Sequence, residues 1–491
     1  MFSTDNQPGR APGKGARAVV SRPSYPPAVR HRQHAAGAGQ PANCRRAPAA
    51  TRLEYGPMKV LIVGGGAREH ALAWKIRQGA GIAEVLCVPG NAGIALDATC
   101  VAGDPAAPAA MADLAAAHGV GLTVVGPEAA LAAGIADEFA RRDLPLFGAT
   151  RAAAEIESSK VFAKEFMRRH GIPTAAHDIA TSAAEARAIL ARRRDGPVVL
   201  KADGLAAGKG VFVAADRREA EDAVEAMFVE RRFGSASDRV VIEDCLEGPE
   251  VSFFALCDGE RALPLTTCQD YKRLLDGDRG PNTGGMGGYS PSVLVDATME
   301  RLIMERVVEP TVRGLLREGR PYRGILYSGL MLTRGGPRVL EYNARFGDPE
   351  AELIAMRLQS DLVPALQATL AGRLEEAGVA WHPGGAVCVV LAAPGYPGTP
   401  VTGTPIEGLE TAAGMPGVKV FHAATRRQDG SMVTAGGRVL TATARGDDFG
   451  AATRRCYAAV EAIRFAGRQR RLDIARIAVD REAAGWRAGV S

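Results

Sequence analysis

The hydrophobic pattern of the chain begins abruptly at Met58. "MKVLIVG" is a short apolar run that leads into glycines and then into a helical pattern, "AREHALAWKIRQ". "EVLCVPGNAG" and "GLTVVGPEAAL" also place an apolar strand before a polar loop. This alternation predicts a doubly wound α/β domain over residues 58–158, with ligand-binding loops at the carboxyl ends of parallel strands. The next segment, "SSKVFAKEFMRRHGIP", predicts an amphipathic helix capped by Ser158.

The pattern changes after residue 158. "PVVLKADGLAAGKGVFVA", a helical pattern at 216–229 and "RVVIEDCLEG" predict a small sheet-and-helix module over residues 179–248. Residues 159–178 and 249–383 flank this module and predict a central α+β domain. From residue 384 onwards, "GAVCVVLAAPGYPG", "GVKVFHAAT", "GGRVLTATA" and a helix at 448–464 predict a C-terminal α/β domain over residues 384–491.

Composition is that of a soluble globular protein, with 46% hydrophobic and 23% charged residues. An apolar run of about 18 residues without charge is absent from the sequence, which excludes a membrane-spanning helix. The eight cysteines are scattered and form no C-x-x-C pair. This spacing argues against a disulfide framework and a zinc site, and it favours the reducing cytoplasm.

The net charge of +5 comes from the first 57 residues. Nine of the 60 Lys and Arg but only two of the 55 Asp and Glu precede Met58, so the remainder carries −2. The body therefore lacks the basic footprint of a nucleic-acid-binding protein. Residues 1–57 are rich in Pro, Ala, Gly and Arg and predict a disordered leader. A transit peptide is one interpretation; the prolines favour the other, a dispensable or untranslated leader before a start at Met58.

The glycines of "GGGAREH" resemble a dinucleotide-binding loop but do not complete it. The G-x-G-x-x-G pattern requires glycine where Glu69 stands, and Pro89 and Gly90, rather than an acid, close the second strand. Gly64–Gly66 would still offer backbone N–H groups at a helix N-terminus, which suits a phosphate. A tight strand-to-helix turn without a ligand is an equally good interpretation.

A second glycine-rich segment, "KADGLAAGKGV", is not a P-loop. Three residues rather than four separate Gly204 from Gly208, and Gly210 follows Lys209 where a Ser or Thr is required. A glycine loop between two strands is nevertheless suited to a triphosphate, with Lys201 as a point charge. A mobile hairpin with a solvated lysine is the alternative.

Two further polar segments, residues 243–250 and 339–353, complete the pattern. Glu243 ends a strand and Glu250 follows seven residues later, so the two can accept from an adenine amino group and ribose hydroxyls. Alone, each is more simply a surface carboxylate. "VLEYNARFGDPEAEL" places polar groups after an apolar strand, and burying charges there requires a partner or ligand. A salt-bridge cluster at a sheet edge is the alternative for this segment.

Taken in order, these segments resemble the ATP-grasp enzymes. Within them, "VPGNAG", "VIEDCLEGPEVSF", "GPNTGGMG", "RFGDPE" and "FHAAT" are similar to the glycinamide ribonucleotide synthetase family, and the likeness covers essentially all of residues 58–480. The resemblance implies a two-part ATP-binding core in which the module 179–248 is a lid. It also implies ligation of glycine to 5-phosphoribosylamine through a glycyl phosphate, with ATP converted to ADP and phosphate, in purine biosynthesis. Such chemistry needs no enzyme nucleophile, and no Ser/His/Asp or Cys/His arrangement is evident.

The resemblance also implies the roles of individual residues. Glu341 and Asn343 are expected to bind Mg²⁺ or Mn²⁺, because residues two apart share a strand face and carry hard oxygen ligands. Arg345, expected on the same face, would neutralise a phosphate. Expected ATP contacts are Lys160, Lys201, Gly208, Lys209, Gly210, Glu243, Leu246 and Glu250. Expected substrate contacts are Gly65, Gly66, Arg68, Asn91, Glu128, Asp270, Arg273, Asn282 and Arg345. Expected catalytic residues are Arg345, Lys201, Asp270 and Lys272.

Several positions depart from the family pattern. They are Ala67, Tyr271, Ala351–Glu352, Ala424 and Arg470–Ala475. None is an expected nucleotide or metal contact, so ATP use is predicted; the alternative is a ligase for another amino acid or amine. A binding protein with an inactive scaffold is disfavoured by the retained Lys201, Glu243 and Glu341. The expected partners are small molecules, without nucleic acid or membrane, and the expected state is a cytoplasmic monomer.

Overall fold

The computed structural model describes residues 57–205 and 210–486. Residues 1–56 of the predicted leader therefore lie outside the described residues, as do Gly208 and Lys209 of the second glycine loop. The described residues form three main sheets and two small hairpins.

The first region is a five-stranded parallel sheet in the order β3-β2-β1-β4-β5. Its strands are β1 (Met58–Gly64), β2 (Ile82–Pro89), β3 (Thr99–Cys100), β4 (Leu122–Val125) and β5 (Leu146–Phe147). Its helices are α1 (Ala67–Arg77), α2 (Pro108–His118), α3 (Glu128–Ala132), α4 (Ile135–Arg141) and α5 (Arg151–Ser158), with a 3₁₀ turn at Ile94–Leu96. The predicted doubly wound sheet is confirmed.

Strand β1 is buried on both faces, as its continuous apolar sequence requires. Leu61 and Val63 pack into one core, whereas Val60 and Ile62 pack into another on the opposite face. The strand order reverses between β1 and β4, so the loops that follow these two strands meet at a topological switch point, where such sheets bind ligands.

The helix after this sheet begins one residue later than its sequence indicates. The Ser159 hydroxyl accepts from the Phe162 N–H and caps α6 (Lys160–Arg169), while Ser158 ends α5. The prediction that Ser158 caps this helix is therefore wrong. Both serines are acceptable caps, and only the end of the preceding helix decides between them.

The second region is a four-stranded antiparallel sheet in the order β6-β9-β7-β8. Its strands are β6 (His177–Ala180), β7 (Val198–Ala202), β8 (Val211–Ala214) and β9 (Val240–Asp244), and its helices are α7 (Ala183–Arg192) and α8 (Arg217–Val224). Asp216 caps α8, which continues into a π-helical turn at Glu225–Val229, and a 3₁₀ turn follows at Gly234–Ser237. This region has its own hydrophobic cluster, separate from the others.

The third sheet has eight antiparallel strands in the order β16-β15-β10-β11-β14-β17-β21-β18. Its strands are β10 (Glu250–Asp258), β11 (Ala262–Asp270), β14 (Gly287–Ser290), β15 (Arg323–Thr333), β16 (Gly336–Asn343), β17 (Gly385–Ala392), β18 (Val418–His422) and β21 (Arg438–Gly446). The hairpins are β12 (Arg273–Leu275) with β13 (Arg279–Asn282), and β19 (Thr425–Gln428) with β20 (Ser431–Thr434).

Helices cover this third sheet. They are α9 (Ala297–Ile303), α10 (Glu309–Arg317), α11 (Glu350–Arg357), α12 (Leu362–Leu370), α13 (Leu409–Ala413), α14 (Phe449–Ala462) and α15 (Arg476–Ala483). A π-helical turn at Met304–Val308 joins α9 to α10, and a 3₁₀ turn lies at Leu374–Glu376.

Strand β14 makes the third sheet continuous across residue 384, the expected start of the C-terminal domain. It pairs with β11 on one side and with β17 on the other. A Cβ at Gly287 would lie 2.4 Å from the Cys388 carbonyl oxygen, and one at Gly288 would lie 2.6 Å from that of Gln269. The glycines of "GGMGGY" therefore permit this close pairing on both edges.

Two further expectations concern the environment of the chain. Among the described helices, none has the length and apolar character that crossing a membrane requires. All seven cysteines of the described residues are free thiols.

Candidate active site

One half of the site is an ion-pair cluster around Glu243, at the end of β9. Lys201 of β7 and Lys164 of α6 each pair with one carboxylate oxygen of Glu243. All three side chains are at least 93% buried, so their charges must compensate one another. Burial lowers the pKa of Lys164 to about 8, against the opposing effect of Glu243.

A register shift in strand β16 adds one backbone carbonyl to this cluster. The pairing of β15 with β16 shifts by one residue at Leu340, so that Gly329 faces Glu341 while Leu330 faces Val339. The Leu340 carbonyl accepts from Lys201 Nζ at 2.9 Å. Lys160, at the start of α6, donates in the same region to the Gly204 carbonyl at 2.8 Å, beside the second glycine loop.

Glu341 lies next to these lysines, and Asn343 follows it two residues later on β16. Both side chains are half-buried, whereas Tyr342 between them is buried and its hydroxyl lies 2.7 Å from that of Thr311. Lys272 Nζ lies 3.0 Å from Glu250 and 3.7 Å from Glu341. Removal from water would raise the pKa of Glu341, but Lys272, Lys201 and Lys160 outweigh this effect and lower it. Glu341 is therefore ionised at neutral pH, with its neighbour Asn343 on the same face of β16.

The oxygen donors of this pair fit a divalent cation of the Mg²⁺ class. Within residues 57–205 and 210–486, no group of three or more His, Cys, Asp or Glu is arranged to hold a metal by itself. Two protein oxygens are about as many as Mg²⁺ usually takes from the protein at a nucleotide site, so this pair would suffice to hold it.

Asp270 ends β11 close to the same lysine. Its Oδ1 atom is buried without a hydrogen-bond partner among the described residues. Burial, followed by the charge of Glu350, raises its pKa well above the ordinary value. Arg273 and Asn282 are paired residues of the β12–β13 hairpin, in which Arg273 donates to the Gly280 carbonyl at 2.8 Å. Leu246 is half-buried after β9.

The other half of the site surrounds Arg345, two residues beyond the end of β16. The expectation that Arg345 lies on this strand is wrong, because β16 ends at Asn343 and the chain bends there. Its guanidinium lies 3.2 Å from Glu128, at the switch point of the first sheet, and 3.0 Å from Glu157. Burial would lower the pKa of Arg345, but Glu157 and Glu128 outweigh it and raise it. The guanidinium is fully charged.

Arg68 meets Arg345 at one backbone carbonyl. Their Nη1 atoms donate to the Phe346 oxygen at 3.3 and 3.2 Å, respectively. Arg68 also pairs with Glu69 at 2.6 Å, and Glu69 accepts from the Gly66 N–H at 2.5 Å. The Glu69 carboxylate therefore occupies the backbone donor of Gly66 that was expected to suit a phosphate.

Asn91 joins three backbone segments. Its amide nitrogen donates to the carbonyls of Gly65 and His422, each at 2.8 Å, and its amide oxygen accepts from the Gly93 and Ile94 N–H groups. All of its polar atoms are thus engaged in holding the loop after β2 between the first glycine loop and β18. Asn91 shapes the surface on this side of the site.

A buried histidine pair lies behind Asn91. The His422 N–H donates to His70 Nδ1 at 2.8 Å, so His70 is neutral and its Nε2 donates to Asp97 at 3.0 Å. Asp97 also pairs with Lys419. Burial lowers the pKa of His70, and it lowers that of His422 to about 3. A packed strand histidine at position 422 thus connects the first sheet to the C-terminal strands.

Comparison with known proteins gives one consistent result. Models of the "Phosphoribosylglycinamide synthetase" N domain, ATP-grasp (A) domain and C domain match residues 58–157, 158–351 and 386–477. The chain is 51% identical to the phosphoribosylamine–glycine ligase of Pseudomonas aeruginosa, covering 87% of this chain and 99% of that protein. The chain belongs to the phosphoribosylglycinamide synthetase family. This membership confirms the predicted ATP-grasp fold and ligase activity.

Other relatives of the family support the same conclusion. The ligase of Xanthomonas campestris is 49% identical, covering 88% of this chain and 98% of that protein. The crystal structure of the Thermotoga maritima ligase superposes with a TM-score of 0.71 at 35% identity, covering 85% of this chain and all of that one. The biotin carboxylase domain of the Hydrogenobacter thermophilus 2-oxoglutarate carboxylase has a TM-score of 0.63 at 17% identity, which shows the shared fold alone.

The departures from the family pattern fall mostly on packing positions. Ala67 is fully buried in the core beneath β1, so its methyl group does not crowd a substrate. Tyr271 lies 4.7 Å from the guanidinium of Arg471, which also pairs with Asp473 and is fully buried. Ala475 adopts φ of +65°, a left-handed conformation that favours glycine.

Sequence reasoning missed Lys164 and Glu157. Lys164 lies one helical turn after Lys160, so the four-residue spacing on α6 was a usable signal. Glu157 accepts from the Ala344 N–H at 2.6 Å and pairs with Arg345, but it is distant in sequence and lies in an ordinary helical pattern.

Proposed function

We propose that this protein joins the carboxylate of glycine to the amine of 5-phosphoribosylamine and converts ATP to ADP and phosphate. One juxtaposition carries the proposal. Glu341 faces the lysine cluster and Asn343 is on the same strand face. Two residues later, Arg345 contacts Glu128 at the switch point of the first sheet. A phosphoryl donor and an amine acceptor bound to these two halves would therefore be neighbours.

The lysine cluster is suited to hold the ATP phosphates. Four lysines, at positions 160, 164, 201 and 272, lie among three glutamates, at positions 243, 250 and 341. This balance leaves net positive charge for an anionic ligand. The proposed adenine and ribose contacts are Glu243, Leu246 and Glu250. The module 179–248 is proposed as the lid, and its Gly208, Lys209 and Gly210 as backbone contacts to the phosphates.

Glu341 and Asn343 are proposed to hold Mg²⁺, with Mn²⁺ as a substitute. When bound, the cation would neutralise negative charge on the phosphates of ATP. Competition between the two metals in a metal-free preparation, followed by ADP release, would test this preference.

The remaining residues act on the substrates. A carboxylate is a poor electrophile, and its phosphorylation gives an acyl phosphate that an amine can attack. We assign charge neutralisation during this transfer to Lys201, Lys272 and Arg345, because these groups are cationic and already held in place. We assign Asp270 and the 273–282 hairpin to the space between ATP and the substrates. Gly65, Gly66, Arg68, Asn91 and Glu128 are proposed to shape the surface for phosphoribosylamine. A cytoplasmic monomer is the proposed state.

Substrate-dependent ADP release tests the proposal. Purified protein with Mg-ATP should release ADP only when both glycine and phosphoribosylamine are present, and mass spectrometry should detect glycinamide ribonucleotide. Other small amino acids and amines serve as controls. Faster turnover with one of these would replace the proposal with a ligase of different specificity, and ATP binding without turnover on any substrate would contradict it.

A further inference from the structure

Glu352 is a buried carboxyl group without a hydrogen-bond partner in any other described residue. It lies in the first turn of α11 with 0% exposure, and among the described residues its own backbone N–H is the one donor close to its carboxyl oxygens. Its helical neighbours differ from it. Glu350 accepts from the hydroxyls of Ser252 and Tyr327, and Arg357 donates to the hydroxyls of Thr266 and Ser290.

The surroundings of Glu352 are predominantly acidic. Asp348 and Glu350 face it from its own segment, and Arg438 is the cation that faces it from β21. Asp270 of β11 is close to the same Glu350 and Arg438, and Cys388 of β17 is close to both Glu352 and Asp270. An ionised Glu352 would therefore add negative charge to a site that already contains several carboxyl groups.

Arg438 is already engaged by other acceptors. Its Nη2 atom lies 3.0 Å from the Asp348 carboxylate, and its Nη1 atom donates to the Asp348 carbonyl at 2.8 Å and to the Gly284 carbonyl. This one side chain therefore connects β21 to both the "RFGDPE" loop and the "PNTGG" loop. An ionised Glu352 would compete for the same guanidinium.

We propose that Glu352 is a neutral carboxylic acid and that its neutrality leaves Arg438 bonded to Asp348 and Gly284. Glu352 is thus a positioning residue for two loops that border the site. Isolated charges are rarely buried because the neutral form costs far less to desolvate. Burial, followed by the charge of Asp348, raises the pKa of Glu352 well above the ordinary value for glutamate. A proton on this group removes its competition for Arg438.

A neutral Glu352 should make the stability of the folded protein depend on pH in one direction. A glutamate in the unfolded chain loses its proton near pH 4.3, whereas Glu352 in the folded protein keeps it. Above that pH the folded state binds one more proton than the unfolded state, so stability falls as pH rises until Glu352 itself ionises. The limiting change in the folding equilibrium constant from this one group is about tenfold per pH unit.

Glu352→Gln tests the proposal, because glutamine is neutral at every pH and has the same shape. The midpoint of thermal unfolding is measured from about pH 6 to pH 9 for the wild type, for E352Q and for E410Q, which changes an exposed glutamate in α13. We expect the wild type and E410Q to lose stability progressively relative to E352Q as pH rises. Parallel profiles for all three proteins, or failure of E352Q to fold, would overturn the proposal.

Infrared difference spectroscopy reads the protonation state directly. The wild type minus E352Q spectrum at neutral pH should contain the C=O stretch of a carboxylic acid, and a carboxylate band in its place would refute the proposal.

The pH profile of ADP release is a third readout and is the one that rests on the proposed function. In this profile, E352Q should keep its kcat/KM at high pH values where the kcat/KM of the wild type has already fallen. If neither protein is active at any pH, the proposed function fails while the spectrum still decides the state of Glu352.

Discussion

The two halves of the site are stabilised by different interactions. On the proposed nucleotide side, Lys164 and Lys201 pair with Glu243, and Lys272 pairs with Glu250, so side chains bond mainly to other side chains. On the proposed acceptor side, Asn91 and Arg68 direct hydrogen bonds to backbone carbonyls of neighbouring loops. The first half consists mainly of charged pairs, whereas the second combines the ion pairs of Arg345 with groups that fix the shape of the chain.

This difference predicts different consequences of mutation. Charged groups that contact a ligand affect turnover strongly and the fold little when they are half-exposed. Groups that hold loops through the backbone affect stability and geometry together, because their loss leaves buried N–H and C=O groups unpaired. Four experiments would test this division.

Glu341→Ala should have the largest effect. Loss of the carboxylate proposed to bind the metal is expected to lower kcat by about 10²–10³-fold, measured as ADP release at saturating substrates. Its side chain is 37% exposed, so the thermal unfolding midpoint should change little. Glu305→Ala, an exposed glutamate in the π-helical turn before α10, is the control and should retain wild-type activity. Near-normal turnover of E341A would contradict the metal assignment.

Lys164→Met should mainly reduce stability, although Lys164 belongs to the nucleotide side. Removing one partner of a buried pair leaves the Glu243 charge partly uncompensated, at a cost of about 3 kcal/mol in the free energy of unfolding. Arg168→Met, on the exposed face of the same helix, should cost no more than about 0.5 kcal/mol. Denaturant unfolding measures both. Equal stabilities of the two variants would mean that Lys201 alone compensates Glu243.

Acidification should weaken the acceptor side through His422. Its pKa is about 3 in the folded protein and near 6.5 in the unfolded chain, so the unfolded state gains protons first as pH falls. Stability from this group is complete above about pH 6.5 and decreases below it, by up to tenfold in the folding constant per pH unit. His422→Asn should therefore lose less stability between pH 7 and 5.5 than the wild type. His118→Asn, at an exposed helix end, should follow the wild-type curve; identical slopes for all three proteins would exclude this role for His422.

Ala475→Gly should have the smallest effect, and it should be stabilising. Alanine at φ of +65° costs about 1 kcal/mol, which glycine would recover. The change lies beside the Arg471–Tyr271 contact, and Arg471 also donates to the Arg273 carbonyl of the hairpin assigned to the site. Because glycine adopts the same left-handed backbone conformation without strain, these contacts should be kept and the KM values should remain as in the wild type. Thermal unfolding measures the gain. A lower midpoint would show that the alanine methyl contributes packing that outweighs its strain.

Local periodicity predicted much of the fold and half of the site. The alternation in "LEYN" predicted that Glu341 and Asn343 share a face, and the buried Tyr342 between them agrees with it. The family motifs predicted the order of the ATP-binding elements. These features depend on residues close together in the chain, and their spacing is visible in the sequence.

The remaining features depend on contacts between distant segments. Arg345 left the expected strand face because its guanidinium pairs with Glu128 and Glu157, more than 180 residues away. The occupation of the Gly66 N–H by Glu69 is local, but it competes with a ligand that the same loop was expected to bind. Such choices between partners are decided by three-dimensional proximity, which periodicity does not contain.

Strand β14 has a practical consequence for dividing the chain. A fragment that stops before β17 would expose Gly287–Ser290 as an open edge, with its N–H and C=O groups free to recruit strands from other molecules. The complementary fragment would begin with β17 and expose the matching edge. Separately expressed fragments should thus aggregate, whereas co-expressed fragments can reassemble by pairing β14 with β17.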